Sequence, residues 1–289
     1  MKRKKHIYFG SNEVAPRDLE KSRIVVLPLC YENAPSYGTG SKDGPYHIMS
    51  ASMQLESLDE ETLVNWEDIG IHTLKPLLPS NDPEKAVREM KKAAKDVLEK
   101  DKFLLSLGGD HAISIGPIMA AAKIYPDIGV LQVDAHLDLR DSWNGSKYNH
   151  ACVMRRVMDD IRIPVTQVGI RSFSSEESEY VKKKKLKPFY AHKIVSSNDS
   201  WIDKVVETLP EKIYMTIDLD GLDPSIMPGT GTPEPGGLSY RQLVKLIKTV
   251  GRKRKVIAAD INELAKIEGF NLSEFTAAKI ATKIFVYCL

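Results

Sequence analysis

Six apolar runs set the frame of this chain: Ile24 to Leu29, Phe103 to Leu107, Ile128 to Val133, Val165 to Ile170, Ile213 to Ile217 and Val256 to Ile261. Most are apolar at nearly every position rather than at alternate ones. That pattern suits strands of a parallel sheet covered on both faces. Helix-like stretches separate them: Glu84 to Lys100 behind Asp82-Pro83, Ile115 to Ile124, His150 to Asp159, Ser175 to Lys185, Asp199 to Leu209 and Ser239 to Gly251. The βα alternation without a repeat predicts an α/β fold, a single three-layer α/β/α domain with a mostly parallel sheet spanning residues 1–289. No linker rich in Gly or Ser divides it. The polar residues 1–20 are expected to form a peripheral N-terminal arm.

Three of these runs end in metal-type ligands: Gly108-Gly109-Asp110-His111, Asp134-Ala135-His136-Leu137-Asp138, and Asp218-Leu219-Asp220-Gly221-Leu222-Asp223-Pro224. On an extended strand alternate side chains share a face. The spacing therefore predicts that Asp134, His136 and Asp138 converge, and likewise Asp218 and Asp220. Functional groups of open α/β sheets collect at the carboxyl ends of the strands, where these residues and Glu263 lie. So many carboxylates cannot stay ionised together without cations, and the set asks for about two divalent metals. Oxygen and imidazole donors without thiolate suit Mn²⁺, with Co²⁺, Ni²⁺, Fe²⁺ and Zn²⁺ left open. The third segment fails as a calcium loop, because Leu222, Asp223 and Gly229 stand where such a loop needs a ligand, a glycine and a glutamate.

Composition excludes several functions. A net charge of +2 gives no reason to invoke nucleic acid or a membrane. The basic runs Lys182 to Lys185 and Arg252 to Lys255 read as solvated faces. The three cysteines, Cys30, Cys152 and Cys288, form no CxxC pair and no disulfide framework; Cys152 reads as a small buried residue. No apolar stretch of 18 residues occurs, and no apolar signal core follows the basic start, so a cytoplasmic enzyme is expected. Asp110 is expected to fix its loop, Asp223 to shape a turn, and Gly108-Gly109 to let the backbone turn tightly. His6, His47, His72 and His192 lie outside every motif and read as structural or surface residues.

Together with the loop Met227-Pro228-Gly229-Thr230-Gly231-Thr232-Pro233-Glu234-Pro235-Gly236-Gly237, the three segments resemble the ureohydrolases, the arginase/agmatinase family. Tyr31 and Ser36-Tyr37-Gly38-Thr39-Gly40 ahead of Gly44-Pro45 resemble its agmatinase branch. The likeness extends to Asp260-Ile261-Asn262-Glu263 and a closing helix near Phe275 to Tyr287, so it covers nearly the whole chain. It implies two Mn²⁺ per subunit, one held by His111, Asp134, Asp138 and Asp218, the other by Asp134, His136, Asp218 and Asp220, with Asp134 and Asp218 bridging. It implies a water activated between the metals as the nucleophile. It places His150 and Asp138 in catalytic roles, His150 as the proton shuttle, and Glu263 with His150 in substrate binding. It also implies a homo-oligomer, trimer or hexamer.

Charge then favours a substrate class. Four carboxylates, two divalent cations and one hydroxide sum to −1, which a guanidinium neutralises and a phosphate ester worsens. Glu263 offers a guanidinium a two-pronged hydrogen bond. The expected reaction is agmatine to putrescine and urea, with Asp141 or a backbone carbonyl meeting the far ammonium and Arg140 facing elsewhere. The alternatives are a guanidinobutyrase, an arginase or a formiminoglutamase, because Asn262-Glu263-Leu264 departs from the branch's usual wall. A metal-dependent acetylpolyamine deacetylase would use one zinc, which the six-ligand set argues against. A non-catalytic relative is disfavoured because all six ligand positions are intact.

Overall fold

A computed structural model describes residues 7–10 and 17–289. His6 and most of the expected N-terminal arm lie outside the described residues. The strands are β1 (Ile24–Leu29), β2 (Ile71–Thr73), β3 (Phe103–Gly108), β4 (Gly129–Val133), β5 (Val165–Ile170), β6 (Phe189–Tyr190), β7 (Lys212–Asp218) and β8 (Lys255–Asn262). They form one sheet in the order β2-β1-β3-β8-β7-β4-β5-β6, and every pairing is parallel. The helices are α1 (Gly44–Ser52), α2 (Pro83–Leu98), α3 (Ile115–Ile124), α4 (Val153–Arg156), α5 (Ser175–Lys184), α6 (Ala191–Ile194), α7 (Trp201–Thr208), α8 (Tyr240–Lys253) and α9 (Leu272–Cys288).

The sheet is apolar on both sides because both sides are covered. Val26 and Leu105 pack in a core that includes Ile48 of α1, Val205 of α7, Leu246 of α8 and Phe285 of α9. Their neighbours Val25 and Leu104 face the other way, into a core that includes Met90 of α2, Ile118 of α3 and Val181 of α5. This is the expected three-layer arrangement. Helix starts are fixed by side chains. Asp82 accepts from the Lys85 N–H at 2.7 Å ahead of Pro83, and Ser174–Glu177 and Ser239–Gln242 form reciprocal capping boxes on α5 and α8.

The short edge strands β2 and β6 and the helices α1 and α6 were not anticipated. The stretch from His150 to Asp159 is not one helix but a 3₁₀ turn (His150–Cys152), α4 and a π turn (Val157–Ile161). Its hydrogen bonds explain this. The Arg155 N–H is bonded to the Asp138 carbonyl at 3.1 Å, and the Ala151 carbonyl accepts from the Arg140 N–H at 3.1 Å. The segment is stitched to the loop beyond β4 as well as to itself. Among the described residues no helix is long and apolar enough to cross a membrane.

Candidate active site

The ends of β3, β4, β7 and β8 come together at the carboxyl edge of the sheet. After β3 the chain passes so close to Tyr31 that a Cβ on Gly109 would lie 1.8 Å from its carbonyl oxygen. Close approach, rather than the tight turn expected, is what demands glycine there. Asp110 fixes the loop as foreseen: one oxygen accepts from the Ala112 N–H at 3.1 Å, capping the turn His111–Ser114, and the other from the Asn33 N–H at 2.6 Å. Asp223 likewise shapes its turn, accepting from the N–H groups of Ser225, Gly236 and Gly237.

His111 is buried, and its Nδ1 lies 2.8 Å from Asp138, 3.1 Å from Asp134 and 3.5 Å from Asp218. It makes no well-formed hydrogen bond to any of them. The other ring nitrogen decides the tautomer. Thr216 donates its single proton to Asp260 at 2.6 Å, so it accepts from His111 Nε2 at 2.8 Å. Nδ1 thus presents a lone pair, or an added proton, to three carboxylates. A cation in that position resolves the conflict, and the imidazole–hydroxyl–carboxylate chain behind it is the support that metal-binding histidines characteristically have. Asp260 is itself held by the Tyr214 hydroxyl at 2.7 Å and Asn262 at 2.6 Å.

A second group lies beside the first. His136 Nδ1 is 3.0 Å from Asp220 and 3.6 Å from Asp134. Donor atoms of His111, Asp134 and Asp218 are mutually close enough to share one ion, and those of Asp134, His136 and Asp220 another, so Asp134 belongs to both groups. Asp218 appears only in the first, and Asp138 enters neither trio, although its carboxylate touches His111.

The strand spacing argument accounts for only part of this convergence. β4 ends at Val133, His136 still bridges to Ser172, and Asp138 takes a left-handed backbone with φ 53°. Asp220 sits in a 3₁₀ turn (Leu219–Gly221) capped by Asp218, which accepts from the Asp220 N–H at 3.0 Å. Turns, not strand alternation, bring Asp138 and Asp220 inward. Glu263 also has positive φ, at 66°, and such backbones persist where surrounding structure enforces them.

The protonation pattern fits a cation site. Burial, then the charge of Asp134, pushes Asp138 up to about 7; burial, then Asp220 and Asp134, raises Asp218 well above the carboxylate range. Burial, then Asp110, raises Glu263. Burial also opposes ionisation of Asp134, but the adjacent imidazoles of His111 and His136 outweigh it and hold that carboxyl low. The carboxylates are crowded enough to hold protons in the absence of metal.

His150 opens the 3₁₀ turn capped by Asn149, which accepts from the Ala151 N–H at 3.0 Å. Its Nε2 lies 2.9 Å from the Ser36 hydroxyl, a partner the sequence did not reveal. Burial, then the neighbouring His111 and His136, pushes it down to about 4. Glu263 accepts from the His111 N–H at 2.7 Å. Both residues line a cavity of about 380 Å³ with Asp138, Thr232, Trp143 and Glu234.

Two expectations at its mouth are overturned. Arg140 does not face elsewhere: it lines the cavity, with its guanidinium 4.2 Å from the centre of the Trp143 ring. Asp141 does not reach it, because Arg156 holds its carboxylate at 2.8 Å. Cys152 is buried as expected. His72, bonded to the Arg17 carbonyl at 2.8 Å, His192, stacked on Tyr190, and His47 on α1 stand apart from the cavity.

A parallel α/β sheet carrying paired carboxylate–imidazole groups at its carboxyl edge, with a cavity above them, defines a metal-dependent hydrolase of the arginase type. The profile described as Arginase family matches residues 22–286, and the chain belongs to that family. It is 38% identical over 272 residues to the N(1)-aminopropylagmatine ureohydrolase of Synechocystis sp., covering 91% of this chain and 88% of that protein. It is 30% identical to the agmatinase of Pyrococcus horikoshii, covering 93% of each. The crystal structure of the agmatine ureohydrolase of Thermoplasma volcanium superposes with a TM-score of 0.87 at 30% identity, covering 94% of this chain and 92% of that one. The protein is accordingly a ureohydrolase acting on the C–N bond of a small guanidino substrate, in a family that uses a binuclear metal site.

Proposed function

We propose that this ureohydrolase, one domain over its whole length, releases urea from agmatine with two Mn²⁺ at the clustered carboxylates. His111, Asp134, Asp138 and Asp218 would hold one ion, and Asp134, His136, Asp218 and Asp220 the other. The observation that carries this is His111 Nδ1, buried among three carboxylates while Nε2 is committed to Thr216. Bound there, two divalent cations offset the carboxylate charge and acidify a water. Glu263, half-buried in the cavity wall beside His111, orients the guanidinium through paired hydrogen bonds. Asp138 keeps its catalytic assignment by holding His111 and the first ion in place. His150, neutral near pH 7 and hydrogen-bonded to Ser36, would relay a proton to the departing amine, first accepting it from the attacking water and then passing it on.

A second substrate, N(1)-aminopropylagmatine, is favoured by the name of the Synechocystis relative and of a Thermus thermophilus relative at 36% identity. The cavity volume lies within the range of small-molecule sites. We further propose a cytoplasmic homo-oligomer, trimer or hexamer, supplying the diamine or triamine end of polyamine synthesis. Urea release by the Mn²⁺-loaded protein from agmatine, aminopropylagmatine, arginine, 4-guanidinobutyrate and formiminoglutamate tests the reading. Agmatine or its aminopropyl derivative should lead, and the absence of urea from the whole panel would sink it.

A further inference from the structure

The guanidinium end of the substrate is accounted for, but the tail is not, since Asp141 is held by Arg156. Glu234 lies in the Thr230–Gly237 loop, half-buried in the wall of the same cavity. Among the described residues the one side-chain partner of its carboxylate is the Ser172 hydroxyl, at 2.9 Å. The nearby guanidinium of Arg171 does not neutralise it by contact. Its donors go to main-chain carbonyls of Gly169, Asp220, Gly221, Leu222, Pro235 and Glu234 itself. That clamp fixes the Glu234 backbone and leaves the carboxylate available. Phe173, 43% exposed, adds an aromatic face to the cavity wall, and such faces attract alkylammonium groups.

We propose that Glu234 is the specificity residue for the tail, its carboxylate taking an amine cation at the far end of a linear guanidine. This rests on the ureohydrolase reading and names what that reading leaves open. The cavity also continues. Phe173 and Ser174 border a second hollow of about 340 Å³ over the start of α5, reached by Ser175, Ser178, Glu179 and Lys182. A tail longer by an aminopropyl unit gains four bonds, about 5 Å at roughly 1.25 Å each, and this hollow gives it a path. Glu179 and Lys182 bring one charge of each sign to its lining, so Glu234 remains the anchor. Arg140, on Trp143, is the competing candidate, because it would anchor an acidic tail.

The test compares wild type with Glu234→Gln, which can keep the Ser172 hydrogen bond while losing the charge. In the Mn²⁺-loaded enzyme the ratio of kcat/KM for agmatine to that for butylguanidine should fall about tenfold, the scale of one charged hydrogen bond at a half-exposed position. Calorimetric binding of putrescine should weaken by a similar factor, and spermidine should bind at least as tightly as putrescine to wild type. An unchanged substrate ratio or unchanged putrescine affinity overturns the proposal, as does exclusion of spermidine for the longer tail. So does a preference for 4-guanidinobutyrate that Arg140→Gln abolishes. If no guanidine yields urea, the functional reading falls, while diamine binding that depends on Glu234 still supports the assignment of the anchor.

Discussion

Replacing Thr216 with Val tests whether the buried chain behind His111 holds a metal ligand. Val is nearly isosteric with Thr, so packing in β7 changes little, but the hydroxyl's hydrogen bonds vanish, the two shortest being 2.8 Å to His111 Nε2 and 2.6 Å to Asp260, with longer ones of 3.4 Å to Ser114 and Asn262. His111, Thr216 and Asp260 are all essentially inaccessible to solvent, so no water replaces them. An unsatisfied buried imidazole N–H costs about 1–3 kcal/mol, while Asp260 retains Tyr214 and Asn262. If Nδ1 is a ligand, losing its support weakens metal binding about 10–100-fold. Wild type at a Mn²⁺ concentration of 100 Kd gains about 2.7 kcal/mol of stability. A tenfold weaker variant gains only about 1.4 kcal/mol under the same conditions. Denaturant melts of chelated and Mn²⁺-loaded protein, with calorimetric titration of the metal, separate the two losses. Thr216→Ser retains the hydroxyl and should restore most of the affinity. A Thr216→Val protein that is destabilised but binds Mn²⁺ with wild-type affinity and stoichiometry would refute the role given to His111.

Five further outcomes are expected. Asp134→Asn should lose at least one metal by elemental analysis, since Asp134 belongs to both donor groups; two ions retained per subunit would contradict that. His150→Asn and Glu263→Gln should keep both metals, the first losing about 10²–10⁴ in kcat, the second losing kcat/KM by roughly tenfold or more per charged hydrogen bond; metal loss in the former, or wild-type kinetics in the latter, withdraws the role. Lys283→Met should destabilise the protein by about 3–5 kcal/mol near pH 7, because buried Lys283 pairs with Asp59 and Glu60 and Asp59 is left without its cation. Asp59 is held below its usual range, burial opposing and the Lys283 hydrogen bond prevailing; its contribution is present above the unfolded value and lost as pH falls through the folded one, so the gap to wild type should narrow on acidification, and a constant gap would count against it. Light scattering should find an oligomer, and a stable monomer near 32.3 kDa would remove that proposal.

The sheet was legible because burial on both faces leaves a crude signal. A strand between two helical layers has no polar side, so Ile24–Leu29 and Val165–Ile170 could be bounded to the residue. β2 and β6 lack that signal: they are two or three residues long, half-buried and at the edges. The helix expected from His150 to Asp159 failed for a different reason. Its local sequence is helix-compatible, but the Asp138 carbonyl takes the Arg155 N–H, and long-range hydrogen bonds of that kind leave no trace in periodicity.

The site divides along the same line. Ligand-type residues at strand ends declare themselves by chemistry, and six of them could be named. What holds them could not. Asp260 and Thr216 sit opposite one another on β8 and β7, and each is a lone polar residue in an apolar run. That is the one signal that could have exposed the support behind His111, since a buried polar side chain in a strand requires a partner. The geometry that turns Asp138 and Asp220 inward is less accessible still. It lies in a left-handed residue and a 3₁₀ turn fixed by neighbouring loops, so the spacing i, i+2, i+4 picked out residues that the structure gathers at one sheet edge, while strand alternation supplied only part of the reason. A variant that alters such a turn without touching a donor, as Gly221→Ala would by bringing a Cβ 2.8 Å from the Asp134 nitrogen, should disturb both donor groups through Asp134.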